Sequence, residues 1–301
     1  MPAATSELSP DQLRNALAAL DQAIYHHEQW LEGIHTTIVC RLPPDARDID
    51  AEAYCKCRFG QWYYGPGSAM LAANSGFVAI EQEHRRMHEL GGSVLRAMAR
   101  GESPLLRDYN NFTHAAKRMR LEISTLKAEL EATLFNLDPL TGAGNRIAML
   151  TKLREQQEFV RRNVMSCGIA MIDLDYFKTV NDSYGHLVGD RVLVACTRYM
   201  LDHTRAYDKI YRYGGEEFLL CVPNADLEVA RNFAERLREG IAALPFDDDD
   251  GEPFHITVSF GLTLLAPDVP VEQSIDRADK AIYEAKQTGR NRVVVWDPSM
   301  T

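Results

Sequence analysis

Two hydrophobic rhythms divide the chain. Over residues 11–39 the apolar positions return at helical spacing: Leu13, Leu17, Leu20, Ile24, Leu31, Ile34 and Ile38. Ser9 before Pro10 supplies an N-cap followed by proline at the first helical position, and Pro43-Pro44 closes the run. A second helical run covers about 77–100 and a third about 105–137. Few β-branched alternations interrupt them, so this half is expected to be an antiparallel helix bundle.

After Asn145 the rhythm changes. The pattern predicts a helix over 146–163, a strand over 167–174, helices over about 176–203, strands over 209–213 and 217–222, a helix over 226–243, a strand over 255–265, a helix over 270–287 and a last strand over 292–296. Strands and helices alternate, but two consecutive strands sit in the middle. That order predicts an α/β sandwich of ferredoxin-like or polymerase-palm type rather than a doubly wound sheet. The fold class is therefore α+β, a helix bundle followed by an α/β sandwich.

Between the halves, Phe112, Ala116, Met119, Ile123, Leu126, Leu130, Thr133 and Leu137 alternate four and three apart, the seam of a coiled coil. Up to Ile123 the seam is expected to face its own bundle. Beyond Ile123 it is expected to leave that domain and meet the same helix of a second chain in a parallel homodimer. The expected organisation is a helical domain over 1–120, a connecting coiled-coil helix over 121–137 and a second domain over 138–301.

Composition narrows the partners. The 301 residues are 46% hydrophobic, enough for two packed cores. A formal net charge of -10 argues against nucleic-acid binding through basic stripes but leaves a nucleotide ligand open, since a divalent cation neutralises phosphates locally. No apolar run is long enough to span a bilayer, and residues 1–10 have no basic stretch followed by an apolar core, so neither a membrane anchor nor a signal peptide is expected. The six cysteines lack the spacing of a disulfide scaffold, which suits a reduced, cytoplasmic setting. Cys167, Cys196 and Cys221 fall in predicted elements and read as core. Residues 247–250 read as a solvated acidic loop.

In the helical half, His27, Cys57, His84 and His88 stand out. A helical histidine is usually exposed or simply hydrogen-bonded, and a His-x3-His pair alone is weak. Still, His84 and His88 project from one helix face, and one thiolate with three imidazoles suits a closed tetrahedral zinc site. Cys55 is also within reach of such a metal. His26 points elsewhere if His27 points inward, because successive helical residues turn by about 100°. His35 and His114 lack motif context and read as surface or satisfied groups. The pieces His27-Glu28-Gln29-Trp30-Leu31, Cys57-Arg58-Phe59-Gly60-Gln61-Trp62 and His84-Arg85-Arg86-Met87-His88 resemble the chemoreceptor zinc-binding domain over roughly residues 11–120. The resemblance implies Zn2+ on His27, Cys57, His84 and His88, with Cys57 favoured over Cys55. A full ligand set makes that zinc structural or regulatory.

In the second half, Gly214-Gly215-Glu216-Glu217 lies between two apolar runs. Two glycines there signal a tight hairpin; alone it reads as a solvated turn. The apolar strand 168–172 ends at Asp173-Leu174-Asp175, bringing carboxylates to a strand end. A calcium loop is excluded there, because Phe177 stands at the third ligand position and no glycine follows it. Strand-end carboxylates opposite an acidic hairpin make a platform for Mg2+ (or Mn2+) and phosphoryl transfer. The opening segment Asp138-Pro139-Leu140-Thr141-Gly142-Ala143-Gly144-Asn145-Arg146, in which Thr141 or Asn145 is able to cap the next helix, together with the run from Asp173 to Asp190 and Arg212-Tyr213-Gly214-Gly215-Glu216-Glu217-Phe218, resembles the GGDEF family of diguanylate cyclases. The resemblance covers about residues 136–298.

It implies the joining of two GTP molecules into cyclic di-GMP. It places Mg2+ on Asp173, Glu217 and the Leu174 carbonyl, with Glu216 as base for the attacking hydroxyl, as metal ligand, or as both. Lys178, Lys286 and Arg290 are implied on the phosphates. Asn181 and Asp190 are implied on the guanine edge, His186 in the nucleotide pocket, and Gly214 and Gly215 beside the phosphates. Arg205 and Asp208, otherwise readable as a surface ion pair, match an inhibitory site for the product. Each domain holds one GTP, so bond formation needs two domains face to face. Two rivals remain open from sequence: a catalytically silent cyclic di-GMP receptor that signals by contact, and a cyclase for another nucleotide pair.

Overall fold

In the computed structural model, which describes residues 8–247 and 253–300, Ser9 starts the first helix as predicted. Its hydroxyl accepts from the Gln12 amide at 3.2 Å, and the Gln12 side chain returns to the Ser9 amide at 2.9 Å, a reciprocal capping box. Residues 1–7 and residues 248–250 of the acidic loop lie outside the described residues. The chain divides into one unit ending at Phe135 and another beginning at Asn136.

The first unit is built on three long helices, α1 (Pro10–Cys40), α5 (Ser75–Ala99) and α6 (Leu106–Phe135). Three short ones lie between α1 and α5: α2 (Ala53–Lys56), α3 (Arg58–Trp62) and α4 (Ser68–Leu71), with a wide turn at Tyr63–Gly67. Leu13, Leu20 and Ile34 of α1, Ile80 and Met87 of α5 and Phe112 and Met119 of α6 are all buried and supply the apolar interior of the bundle.

The seam beyond Ile123 differs from the expectation. Leu126 and Leu130 are each 0% exposed within the single chain, and Lys127 reaches Asp21 of α1 at 2.6 Å. These positions complete the bundle rather than waiting for a second chain. Leu137 leaves the seam altogether: α6 stops at Phe135, and Leu137 forms an isolated bridge with Gly144. Periodicity identifies an apolar face, and here a neighbouring helix of the same chain covers it.

The second unit comprises α7 (Arg146–Arg161), β1 (Cys167–Leu174), α8 (Phe177–Tyr184), α9 (His186–Asp202), β2 (Lys209–Gly214), β3 (Glu217–Pro223), α10 (Leu227–Ala242), β4 (Val258–Leu264), α11 (Val271–Gln287) and β5 (Val293–Val295). Sheet order is β2-β3-β1-β4-β5, antiparallel except for the β4–β5 pair. The first four strands have the split order of a ferredoxin-like sandwich. Asn145, rather than Thr141, caps α7, accepting from the amides of Ile147 and Ala148 at 3.1 and 3.0 Å.

Strand β1 is buried at every position, because helices cover both faces of the sheet. Ala170, Ile172 and Leu174 join one core with residues of α9 and α10. Cys167, Ile169 and Met171 join the other with residues of α7 and α11. Cys167, Cys196 and Cys221 are fully buried, as expected.

Gly261 of β4 sets the depth of α11. A methyl group there meets the Ala278 carbonyl oxygen at 2.1 Å and the Ile282 amide at 2.2 Å, so the helix backbone rests directly on the strand. Gly261→Ala is expected to lower stability by about 3 kcal/mol through overpacking. Urea unfolding measures this, and an unchanged midpoint contradicts the contact.

Candidate active site and metal centre

The sheet register assembles the acidic site. Asp173 and Glu217 are direct cross-strand partners at the ends of β1 and β3, and Gly214 pairs with Glu217 across the hairpin. The turn is thus Gly215-Glu216, and the Glu216 carbonyl accepts from the Leu174 amide at 3.4 Å. Neither glycine takes a positive φ. The role of Gly215 is open space: an added Cβ meets nothing within 4 Å, leaving the backbone open to a ligand.

Arg212 holds this turn. Its guanidinium donates to the Gly215 carbonyl at 2.8 and 3.1 Å and to Asp138 at 3.0 Å. Asp138 also accepts from the Thr141 hydroxyl and amide at 2.7 and 2.9 Å. Hence Asp138, read from sequence only as part of an opening motif, is a strut for the hairpin.

Asp173 is 6% exposed and accepts from the Lys286 ammonium at 2.6 Å. Burial pushes its carboxyl up to about 6; the Lys286 bond and charge oppose this, and Glu216 and Glu217 add to it. Three carboxylates against one lysine leave an excess of two negative charges, all on oxygen. That donor set fits a hard divalent cation.

Asp175, grouped in the sequence with Asp173 as a strand-end carboxylate, instead organises the facing loop. Its buried carboxylate accepts from the hydroxyls of Thr257 and Ser259 at 2.7 Å each and from the Asn291 amide at 3.0 Å. It thereby joins the end of β1, the approach to β4 and the loop that carries Arg290. Arg290 stacks over the Tyr176 ring at 4.4 Å and donates to its hydroxyl at 3.3 Å. Tyr176, Arg290 and Asn291 all take left-handed backbone angles, φ 57°, 62° and 44°. Such strain in non-glycine residues gathers at functional sites.

The remaining expected site residues lie on α8 and α9. Asn181 is seated against Gly189, where a Cβ meets the Asn181 Oδ1 at 2.0 Å, so only glycine leaves room for that side chain. Lys178, His186 and Asp190 are exposed. Arg205 is exposed as well, whereas Asp208 is buried and accepts from the Arg205 amide at 3.0 Å. Burial raises the Asp208 carboxyl, against that bond and the Arg205 charge.

In the helical unit, α1, α5 and the start of α3 bring four side chains together. One ligand atom from each of His27, Cys57, His84 and His88 lies within 4.8 Å of the others. Cys57 Sγ is 3.3 Å from His84 Nε2, close to the ligand spacing of about 3.3–3.8 Å in a tetrahedral zinc site. His27 Nδ1 donates to the Ala23 carbonyl at 2.7 Å, which leaves Nε2 as the lone-pair nitrogen. Both ring nitrogens of His88 are buried without a protein partner, a costly arrangement that a metal bond relieves.

Burial lowers His27 to about 4 and His88 to about 3, and takes His84 well below its usual value, with the neighbouring imidazoles adding to the effect. All three rings are therefore neutral ligands at neutral pH. Burial raises the Cys57 thiol, opposed by the amide of Gly60, which reaches the sulfur at 3.2 Å. Gly60 is required for this loop, since a Cβ meets the Tyr54 carbonyl oxygen at 1.9 Å. His26 turns away to Arg58 at 3.3 Å, as helical geometry requires. His35 departs from expectation: its Nε2 is buried without a partner.

Comparison with known proteins assigns a family to each unit. Residues 135–292 match the family described as diguanylate cyclase, GGDEF domain, and residues 27–95 match the chemoreceptor zinc-binding domain. The chain is 31% identical over 290 residues to the diguanylate cyclase DgcZ of Escherichia coli, covering 93% of this chain and 94% of that protein. Among solved structures it is similar to the diguanylate cyclase SiaD of Pseudomonas aeruginosa in complex with its activator SiaC, at 29% identity, 90% and 98% coverage and a TM-score of 0.55. It also matches the coiled coil and GGDEF domain of DgcB from Caulobacter crescentus in complex with c-di-GMP, at 26% identity, 62% and 96% coverage and a TM-score of 0.54.

Proposed function

The chain belongs to the GGDEF family of diguanylate cyclases and carries a chemoreceptor zinc-binding domain; on that premise we propose that it condenses two GTP into cyclic di-GMP and two pyrophosphates, under the control of zinc and of its own product. The observation that carries the catalytic reading is the in-register pairing of Asp173 with Glu217, with Lys286 at 2.6 Å.

Asp173, Glu217 and the Leu174 carbonyl would hold Mg2+ (or Mn2+), which would neutralise charge on the triphosphate. Glu216 would take the proton of the attacking 3′-hydroxyl, serve as a metal ligand, or do both. Lys286 exchanges Asp173 for the phosphates when substrate binds. Lys178 and Arg290 stabilise charge on the same group, and Tyr176 holds Arg290 in place. Gly214 and Gly215 leave room for the phosphates. Asn181 and Asp190 read the guanine edge, with His186 beside them. One site holds one GTP, so two chains act together as a homodimer.

Incubation with GTP and Mg2+ is expected to yield cyclic di-GMP, with no cyclic product from ATP and none from GTP after Glu216→Gln. Failure of the unaltered protein to convert GTP overturns this reading in favour of a silent receptor.

The product is expected to bind at Arg205, whose exposed guanidinium suits a phosphate or a guanine edge. Asp208 shapes that turn from beneath. Arg205→Ala is expected to weaken product inhibition at least about tenfold, consistent with loss of a charged hydrogen bond; an unchanged inhibition constant sinks the assignment.

Zinc at His27, Cys57, His84 and His88 is proposed to hold the chain in a less productive arrangement, with the protein working in the cytoplasm. Chelation should then raise cyclic di-GMP synthesis, and an unchanged rate refutes zinc control. No helix of the described residues is long and apolar enough to cross a membrane.

A further inference from the structure

The helical unit contains a cavity of about 390 Å3 between α1 and α6, to which Met87 of α5 also contributes. That volume is in the range of small-molecule sites. Its lining is mainly apolar, with Ile24, Leu31, Met119 and Ile123 among the residues along it. The same cavity touches His27, but otherwise it is separate from the metal centre and from the cyclase unit.

Three charged side chains line it: Glu28, Lys117 and Arg120. Glu28 and Arg120 satisfy each other at 2.6 Å. Lys117 has no ion pair among the described residues, and it is exposed on α6. The cavity is thus lined by one positive charge in excess, on a protein whose net charge is -10. An apolar chamber with one unpaired cation discriminates by both length and charge: a chain is drawn out of water, and an anionic end is held at the rim.

We propose that this cavity binds a small amphiphilic anion, a carboxylate on an unbranched chain of roughly ten carbons. The chain lies along Ile24, Leu31, Met119 and Ile123, and the carboxylate pairs with Lys117. A neutral lipid lacks the head group for Lys117, and an inorganic anion leaves the apolar wall wet. A ligand seated there also lies against His27, so it is sensed at the metal centre.

Calorimetric titration of the full-length, zinc-loaded protein with decanoate, below its micelle concentration, tests the site. One saturable site per chain is expected. Hexanoate should bind at least about tenfold more weakly, since each buried methylene contributes to the affinity. Decylamine, with the same chain and the opposite charge, should also be at least about tenfold weaker. Lys117→Glu, an exposed substitution, and Ala116→Phe, which fills the chamber, should each weaken decanoate at least about tenfold. Neither residue belongs to the cyclase site, so basal cyclic di-GMP synthesis should be unchanged.

The proposal is overturned by absence of saturable binding, by equal affinity for decylamine, or by binding that survives both substitutions. It also falls if decanoate does not bind and Ala116→Phe converts a dimer to a monomer, because the groove is then an interface between copies of the chain.

Discussion

Asp173→Asn is expected to lower cyclic di-GMP synthesis at least about a thousandfold at saturating GTP and Mg2+, the scale associated with loss of a charge-stabilising group in an active site. The substitution is nearly isosteric, so the β1–β3 register and the far-ultraviolet circular dichroism should be retained. What is lost is the anion. An amide does not neutralise Lys286, which sits 2.6 Å away, and it is a poor ligand for a hard cation. Product quantified by chromatography checks this, and a variant keeping a tenth of the normal rate contradicts the assignment.

The acid limb of activity follows from the same residue. Asp173 works as an anion, and burial has raised its carboxyl to about 6. Protons and the metal compete for this carboxylate, so activity at subsaturating Mg2+ should fall as pH drops through about 6. Lys286 opposes the rise, so Lys286→Met should move the limb to higher pH as well as weaken phosphate binding.

Removal of zinc should have the other large effect. Chelation at neutral pH is expected to lower the unfolding midpoint of the helical unit by at least about 10 °C, since structural zinc sites contribute many kcal/mol to folding. The cyclase unit should melt unchanged, and differential scanning calorimetry separates the two transitions. A helical transition indifferent to chelator rules out a structural metal on these ligands.

The metal-free protein should in addition be acid-sensitive, with a defined sign. His27 and His88 titrate near 6.5 when unfolded but at about 4 and about 3 when folded. The unfolded chain thus binds more protons across that window. Stability is complete above the unfolded value and declines as pH falls toward the folded ones, by about 3 kcal/mol for His27 and about 5 kcal/mol for His88. Gly60→Ala should reproduce part of the chelation effect at neutral pH, by displacing the Tyr54 carbonyl and with it the loop that presents Cys57.

Much of this arrangement is legible in the linear sequence. Helical spacing locates α1, α5 and α6 to within a few residues, and the apolar run before Asp173 locates β1. The His-x3-His pair and the two acidic motifs announce their chemistry because each is local. The struts are not local. Asp175 is held by Thr257, Ser259 and Asn291, and Asp138 by Arg212, partners that the sheet brings together from distant parts of the chain. Nothing in the neighbourhood of Asp175 reports its burial. Tyr176 is equally silent, since its role depends on the loop after α11. The seam beyond Ile123 misleads for a related reason: an apolar period specifies which face is covered, while the identity of the cover is a property of the whole bundle.

The Asp138 strut has a mechanical consequence. Asp138 is two residues into its unit, and its carboxylate grips Arg212, which in turn grips the Gly215 carbonyl. The Gly144 carbonyl takes the Arg212 amide at 2.8 Å, and the Gly144 amide donates to Ile210 at 3.0 Å. The first turn of the unit and the catalytic hairpin are thus stitched by both side chains and backbone. One guanidinium therefore separates the carboxylate of Asp138 from the backbone of Gly215, the neighbour of Glu216.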